Sequence, residues 1–262
     1  MSSHTKHIKE DNLSIAWARA FLATMKYPEI SPMTITVTGL SNEHIPECPE
    51  VRNELGSSLK DNSFRSCHTV ANTIFPKSLW NPQRDADFLF GRYKRCRKQI
   101  RKCPPNRIGV YFDRLTAYGI DYGEPVNQLE YIIKTYKEKR NHRRSALHAS
   151  ILDPKCDQKH QQQRGFPCLQ QVGFVPVNKK FLNVVGFYPM EYIYDRGYGN
   201  YLGLCRLGQF MATGMGLELA QMTCFVGVAA VGKMNKTPLR GLEHRIERYI
   251  SEYETRMRGQ NE

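Results

Sequence analysis

Residues 164–175 read Arg-Gly-Phe-Pro-Cys-Leu-Gln-Gln-Val-Gly-Phe-Val, with Cys168 following a proline where a loop turns into a strand. The basic pair Arg143 and Arg144 lies upstream of this cysteine, and Asn200 lies downstream in the sequence Tyr-Gly-Asn-Tyr. A nucleophile, a phosphate clamp and a base-reading amide would fit these three places. We therefore interpret the rest of the chain as the scaffold that brings them together.

The length and composition of the chain fit one large domain over residues 1–262. The chain is 40% hydrophobic, which is enough to build a substantial core. It contains no run of about 18 apolar residues, and its start lacks the apolar region of a secretion signal. We therefore expect a soluble cytoplasmic protein that does not span a membrane.

The excess of positive charge indicates anionic partners. Lys and Arg number 38 against 25 Asp and Glu, which gives a formal net charge of +13. Nucleotides, nucleic acid or an acidic protein would all suit such a chain, and a basic surface that is simply solvated is equally open. The densest basic segment is residues 92–102, but Tyr93 is its single aromatic residue, so it lacks the repeated stacking pattern of nucleic-acid-binding segments.

The eight cysteines form no recognisable metal or disulfide pattern. No Cys-x-x-Cys pair occurs, and the separation of Cys96 and Cys103 fits common zinc spacings poorly. Reduced thiols are expected in a chain without a secretion signal. No metal site is therefore predicted, and most of the cysteines are interpreted as core or bystander residues.

Hydrophobic periodicity predicts helices and strands along the whole chain. Helices are predicted over residues 11–26, 50–60, 88–102, 125–139, 201–215 and 239–258, and strands over residues 34–39, 145–152, 168–177, 181–188 and 221–231. Segment 66–80 is interpreted as partly helical, and segments 114–119 and 155–164 are predicted loops. Because the strands cluster late in the chain, an α+β fold is favoured over a doubly wound fold.

Residues 125–231 resemble the thymidylate synthase superfamily, which includes the pyrimidine nucleotide hydroxymethylases. The resemblance is carried by an order of elements: a helix beginning Val-Asn-Gln-Leu, Arg-Arg at 143–144, a strand ending in Asp-Pro at 153–154, Pro-Cys at 167–168, a hairpin, Gly-Asn at 199–200 and a long apolar helix. Residues 1–120 match only loosely, and a basic helix is predicted over residues 238–258. The resemblance implies a large twisted mixed sheet covered by helices, and an obligate homodimer whose subunits pack sheet to sheet.

The family's chemistry implies a role for each of these residues. The thiolate of Cys168, if nearby positive charge lowers its pKa, would add to C6 of a pyrimidine, so that C5 can attack a one-carbon electrophile. Arg143 and Arg144 would bind the 5′-phosphate, and in the family this pair reaches the site of the other subunit. Asn200 would bind the N3–H and O4 edge of uracil.

The chain departs from the family at several positions. Leu169 follows the cysteine where the family has histidine, and Pro-Met at 189–190 stands where an Arg-Ser pair binds phosphate in the family. Arg196 lies nearby and could replace that arginine, and Tyr118 beside a glycine turn is a further candidate for substrate binding. The family's catalytic glutamate, its sugar-binding histidine and tyrosine, and its folate-covering tail are missing.

The expected function is that of a divergent homodimeric transferase, a methyltransferase or hydroxymethyltransferase acting at C5 of a pyrimidine nucleotide, with uracil favoured. The resemblance implies methylenetetrahydrofolate as a cofactor, but the missing tail leaves the donor open. Two alternatives remain: a nucleotide-binding or partner-binding homodimer that has lost catalysis, and a nucleic-acid-binding protein that uses residues 92–102. Each residue also has a purely structural interpretation. Cys168 could be a buried thiol, Arg143 and Arg144 could be cations at a helix end, and Asn200 could cap the following helix.

Overall fold

The computed structural model describes residues 4–107, 110–138, 141–158 and 166–259, and it shows an α+β fold built on a six-stranded sheet. The strands are β1 (Lys6–Glu10), β2 (Met33–Val37), β3 (His148–Ser150), β4 (Gln171–Val177), β5 (Phe181–Tyr192) and β6 (Glu218–Ala230). Their order across the sheet is β1-β2-β6-β5-β4-β3. The sheet is mixed, because the β1–β2 and β5–β6 pairs are parallel and the other pairs are antiparallel.

Helices cover this sheet. They are α1 (Leu13–Lys26), α2 (Pro49–Asp61), α3 (Cys67–Ile74), α4 (Ala86–Lys102), α5 (Tyr111–Thr116), α6 (Gln128–Glu138), α7 (Pro154–Asp157), α8 (Tyr198–Met215) and α9 (Arg240–Gly259). Helix α8 packs on β5 and β6, and α1 packs on β1 and β2. Over the part of the chain that the structure describes, none of these helices has the length and apolar character needed to cross a bilayer.

Helix α1 forms where the hydrophobic pattern predicts it. Asn12 caps the helix, and its Oδ1 accepts hydrogen bonds from the backbone N–H groups of Ser14 and Ile15 at 2.9 and 3.3 Å. Trp17 is fully buried, and its indole N–H donates to the carbonyl of Ile193 at 2.8 Å. This bond ties α1 to the segment that leads from β5 into α8.

The predicted hairpin between β4 and β5 is confirmed, and β5 is longer than predicted. Asn178 and Lys179 turn the chain in the left-handed region, with φ of 50° and 55°. Strand β5 continues to Tyr192, beyond its predicted end at residue 188. The added residues include Glu191, and a π-helical turn over Ile193–Gly197 then leads into α8.

Helix α8 is almost entirely buried and packs closely against α3. It ends at Gly216, which adopts φ of 72°. Near its start, Gly199 and Gly203 allow the two helices to approach: a Cβ on Gly203 would lie 2.9 Å from the Cβ of Ile74. This contact fixes the position of the first turn of α8, where Asn200 lies.

Helix α6 begins later than predicted. It starts at Gln128 instead of residue 125, because Val126 pairs with Tyr118 in an isolated β-bridge and is 55% exposed. Residue 139, the predicted last residue of this helix, lies outside the described residues. The predicted start of this helix at residue 125 is therefore wrong.

Other predicted boundaries also differ from the structure. Helix α5 occupies part of the predicted loop over residues 114–119, and α7 forms at the start of the predicted loop over residues 155–164. Strand β3 is shorter than predicted because Arg144–Ala146 forms a 3-10 turn. Residues 159–165, which include the rest of that loop and the first two residues of the stretch 164–175, lie outside the described residues.

The face of the sheet opposite α8 carries half-buried and exposed side chains. Its residues on the central strands, which we call the open face, are Thr34, Thr36, Val185, Phe187, Thr223 and Phe225. Phe187 and Phe225 are register partners whose rings stack with centroids 5.8 Å apart. Phe225 is 40% exposed, so the most apolar part of the open face is accessible to solvent in this chain.

Candidate functional site

A cleft of about 790 Å³ lies where the loop before β4, the end of β5 and the start of α8 meet. The polar side chains that line it include Arg65, Arg114, Cys168, Glu191, Arg196 and Asn200. Cys168, Arg196 and Asn200 were candidates from the sequence, and they share this one cleft although they come from three segments. A concave site with convergent polar groups is the usual form of a small-molecule site.

Cys168 lies at the end of the loop before β4, on the wall of the cleft, and is exposed. Two neighbours hold its backbone in place. The N–H of Gln170 donates to the carbonyl of Phe187 at 2.9 Å, and Leu169 is fully buried with its side chain close to Gly186. The leucine that departs from the family's histidine is therefore an apolar anchor for the cysteine loop.

The pKa of the Cys168 thiol is raised above its ordinary value. The first cause is partial burial of the sulfur by surrounding protein atoms, and the second is the nearby carboxylate of Glu191. Arg196 acts in the opposite direction, and Asp195 adds to the increase. The lowered thiol pKa that the sequence led us to expect is not found, so this thiol needs a proton acceptor in order to react as a nucleophile.

Glu191 is the buried carboxylate of the cleft and was missed in the sequence. It is 2% exposed, and its two oxygens accept hydrogen bonds from Nδ2 of Asn200 at 2.7 Å and from the hydroxyl of Tyr201 at 3.0 Å. Burial raises its pKa to about 7, although both hydrogen bonds act to lower it. Its burial breaks the alternation of β5: even positions point inward up to Tyr188, and after Pro189 the odd position 191 is buried instead.

Asn200 lies in the first turn of α8 and is 4% exposed. One N–H of its amide is held by Glu191, and the amide has a second N–H and a carbonyl oxygen with which to bind a ligand. The bond to Glu191 also decides which end of the amide is nitrogen, because a carboxylate can only accept. The side chain is thus an oriented amide on the wall of the cleft.

Four cations line the cleft, and two of them are held by aspartates. Arg114 donates to both oxygens of Asp157 at 2.5 and 2.7 Å, and Arg196 donates to Asp195 at 3.1 Å. The other two are Arg65 and Lys233. Neither was singled out in the sequence, where each is one basic residue among 38 and belongs to no motif. Arg65, Arg196 and Lys233 give the cleft positive charge suited to an anion.

The remaining sequence candidates lie elsewhere. Arg143 and Arg144 are exposed in the turn before β3 and do not line the cleft. Tyr118 also lies outside it, and its hydroxyl donates to the carbonyl of Leu152 at 2.9 Å. In a single chain, therefore, neither the arginine pair nor this tyrosine is brought together with Cys168.

The basic segment 92–102 lies on α4, and three of its arginines have partners within the chain. Arg97 and Arg101 each donate to the buried carboxylate of Asp113 at 2.9 Å. Arg92 donates to the carbonyl of Leu79 at 3.0 Å. Three arginines of α4 thus bind residues outside this helix and help to hold it in place.

Within the described residues, no three His, Cys, Asp or Glu side chains are grouped as metal ligands. The cleft therefore offers a thiol, a buried carboxyl, an oriented amide and cations as its reactive and binding groups. Comparison of the chain with protein-family models and with curated proteins gives no match.

Proposed function

We propose that the protein is a divergent thymidylate synthase-like enzyme that acts at C5 of a pyrimidine nucleotide, with uracil favoured. The observation that carries the proposal is the meeting of Cys168, Asn200 and Arg196 in one cleft. These are the nucleophile, the base-binding amide and the phosphate-binding cation that the family's chemistry requires. They are distant in the chain, so their convergence gives support that the order of motifs alone does not provide.

The chemistry begins with the sulfur of Cys168. Its addition to C6 turns the pyrimidine into an enolate, and C5 then accepts a proton or attacks an electrophile. Asn200 presents a carbonyl oxygen to N3–H and an N–H to O4, which is the pattern of uracil. Arg196 supplies positive charge for the phosphate, and Arg65 and Lys233 also line the cleft.

A homodimer is part of the proposal. The arginine pair at 143–144 is exposed and outside the cleft of its own chain, which is the arrangement expected if it serves a second subunit. The open face, with the Phe187–Phe225 stack at its centre, is an apolar surface on which two sheets could pack. The complete phosphate site would then contain residues of both chains.

The resemblance also implies methylenetetrahydrofolate, which the family covers with its carboxyl-terminal tail. In this chain the last described segment is α9, which packs on α1 and α2 and contributes no residue to the cleft. The residues present therefore do not fit the family's mode of folate binding. The proposed reaction is limited to exchange or one-carbon substitution at C5, with the donor unspecified.

Tritium release tests the proposal. The protein is incubated with 5-tritiated uridine and cytidine monophosphates, in ribo and deoxy forms, and tritium in water is counted. We expect release from a uracil nucleotide, and a loss of at least ~10³-fold in Cys168→Ala because no other cysteine among the described residues lines the cleft. Cys103→Ala is the matched control, since Cys103 is exposed but outside the cleft. No tritium release from any nucleotide, or equal release by Cys168→Ala and Cys103→Ala, would contradict the proposed enzymatic activity.

A nucleotide-binding homodimer without catalysis is the second candidate. The raised pKa of the Cys168 thiol favours it, because the protonated thiol is a poor nucleophile. Titration calorimetry with the same nucleotides separates the two. Binding that persists in Cys168→Ala, together with no tritium release by the unaltered protein, supports the binder.

Nucleic-acid binding through residues 92–102 has less support, because Arg92, Arg97 and Arg101 already have partners in the chain. It remains a third alternative on account of the net charge of +13. Affinity for single-stranded oligonucleotides that falls steeply with salt would favour it.

A further inference from the structure

Two proton-exchanging groups face the same cleft in this protein. Cys168 lies on the loop before β4, and Glu191 lies near the end of β5. Glu191 is fully enclosed and both of its hydrogen-bond donors, Asn200 and Tyr201, are neutral. Glu191 and Cys168 line the same cleft, the carboxylate is one cause of the raised pKa of the thiol, and neither donor neutralises its charge.

Four other titratable groups around this pair keep one charge state near neutral pH. Burial raises the pKa of Tyr188, Tyr201 and Cys224 around Glu191, and of Tyr111 beside Cys168, so these four groups stay neutral. Asp195 and Arg196 form an ion pair on the Cys168 side. Glu191, with a pKa of about 7, is therefore the member of the pair that titrates near neutral pH.

We propose that Glu191 accepts the proton of the Cys168 thiol, so that the nucleophile forms by proton transfer inside the cleft. Two negative charges in one partly enclosed cleft repel each other, so the pair prefers to carry a single negative charge. Moving the proton from the sulfur to the carboxylate leaves the pair with one negative charge. The catalytic meaning of this pair rests on the proposed function, but the pairing itself can be measured without substrate.

The step is balanced in atoms and charge. The S–H bond of Cys168 breaks and its proton binds an oxygen of Glu191. The sulfur forms a bond to C6, and the electron pair of the C5–C6 double bond moves into the enolate that ends at O4. Glu191 then gives this proton to C5 and becomes a carboxylate again. The carboxylate takes the original hydrogen from C5 as a proton, the electron pair of that C–H bond re-forms the C5–C6 double bond, and the sulfur leaves C6 as the thiolate. The thiolate regains a proton from Glu191.

The pairing is tested by the rate of alkylation of Cys168 with iodoacetamide between about pH 5 and pH 10, measured by mass spectrometry of the peptide that contains it. In the unaltered protein we expect a shoulder near pH 7, where ionised Glu191 begins to suppress thiolate formation. In Glu191→Gln the shoulder disappears, and Cys168 reacts about threefold to tenfold faster at pH 8 because the neighbouring charge is gone. A variant that only disturbed packing would not produce this change of profile.

A second variant keeps the test decisive if Glu191→Gln does not fold. Tyr201→Phe keeps the buried ring but removes a hydrogen bond that lowers the pKa of Glu191, so the shoulder should move to higher pH. Cys103, exposed and outside the cleft, is followed in the same samples and should react identically in all of them. A profile without a shoulder, or a shoulder that neither variant moves, overturns the pairing.

Failure of the pairing and failure of the proposed enzyme are distinguishable. If the alkylation profile shows the shoulder but no nucleotide releases tritium, the Glu191–Cys168 pairing is supported and the proposed enzymatic activity is contradicted. If tritium is released but the alkylation profile of Glu191→Gln equals that of the unaltered protein, the enzymatic activity is supported and Glu191 is not the proton acceptor.

Discussion

The pKa of the Glu191 side chain is set by its surroundings in the folded protein. Its pKa of about 7 lies above the ordinary value of 4.5, because burial disfavours the carboxylate more than its two hydrogen bonds favour it. The folded protein therefore holds this proton more tightly than the unfolded chain does. Its contribution to stability is fully present below about pH 4.5 and is lost as the pH rises through about 7.

This residue predicts a pH-dependent difference in stability between the protein and Glu191→Gln. The amide does not titrate, so the variant should gain on the order of 2–3 kcal/mol relative to the unaltered protein between pH 5 and pH 8. Urea unfolding at the two pH values measures this difference. Glu43→Gln, which alters an exposed glutamate, is the control and should show no such gain. Equal differences at both pH values would contradict a raised pKa at Glu191.

The contact between α3 and α8 is the element on which the shape of the cleft depends. A Cβ on Gly199 would lie 2.5 Å from the Cβ of Val70, and one on Gly203 would lie 3.0 Å from the carbonyl oxygen of Ala71. Backbone and Cβ atoms cannot move aside as the end of a flexible side chain can. Small residues at these two positions therefore set the distance between the helices and, with it, the position of Asn200.

Paired glycine substitutions test this contact. Gly203→Ala should destabilise the protein by about 1–3 kcal/mol, because overpacking outweighs the better helix propensity of alanine. Gly56 lies in α2, and a Cβ there would meet no described atom within 4 Å. Gly56→Ala should instead stabilise by about 0.5–1 kcal/mol. Urea unfolding compares the two, and stabilisation by both would show that α3 and α8 are not in close contact.

For the whole molecule, the open face is the surface on which the proposed dimer depends. The opposite face of the sheet is covered by α8 and α1, and the open face has side chains that alternate with those buried ones. Phe225 is 40% exposed and stacks on Phe187, so packing against a second sheet would remove apolar surface from water. The proposed dimer would also bring Arg143 and Arg144 within reach of a second cleft.

Phe225→Lys should convert the proposed dimer into a monomer. A charged side chain in the centre of an apolar interface should weaken association by at least about 2 kcal/mol, roughly 30-fold in Kd. Light scattering after gel filtration, over a dilution series, measures the change. Val126→Lys is the control, since Val126 is 55% exposed and lies outside the sheet's strands. A monomeric unaltered protein, or a variant that stays dimeric, would contradict the dimer.

Local sequence patterns were enough to predict much of the fold and three members of the cleft. The apolar periods of α1 and α8 and the short turn between β4 and β5 are properties of neighbouring residues, and all three are confirmed. Cys168 and Asn200 could be singled out because each stands where a predicted element begins. The boundaries of α6 and β3 were wrong, because a β-bridge and a 3-10 turn depend on contacts that the hydrophobic period does not contain.

The tertiary structure alone decided which groups surround the cysteine. Glu191 is buried because β5 changes phase after Pro189, Arg65 reaches the cleft from a distant segment, and Arg114 is held by Asp157. Periodicity determines which face of an element is apolar, but it does not determine which segment packs opposite. For that reason the local sequence placed Cys168 just before a strand, whereas the packing of distant elements determined the pKa of its thiol and brought Glu191 into the same cleft.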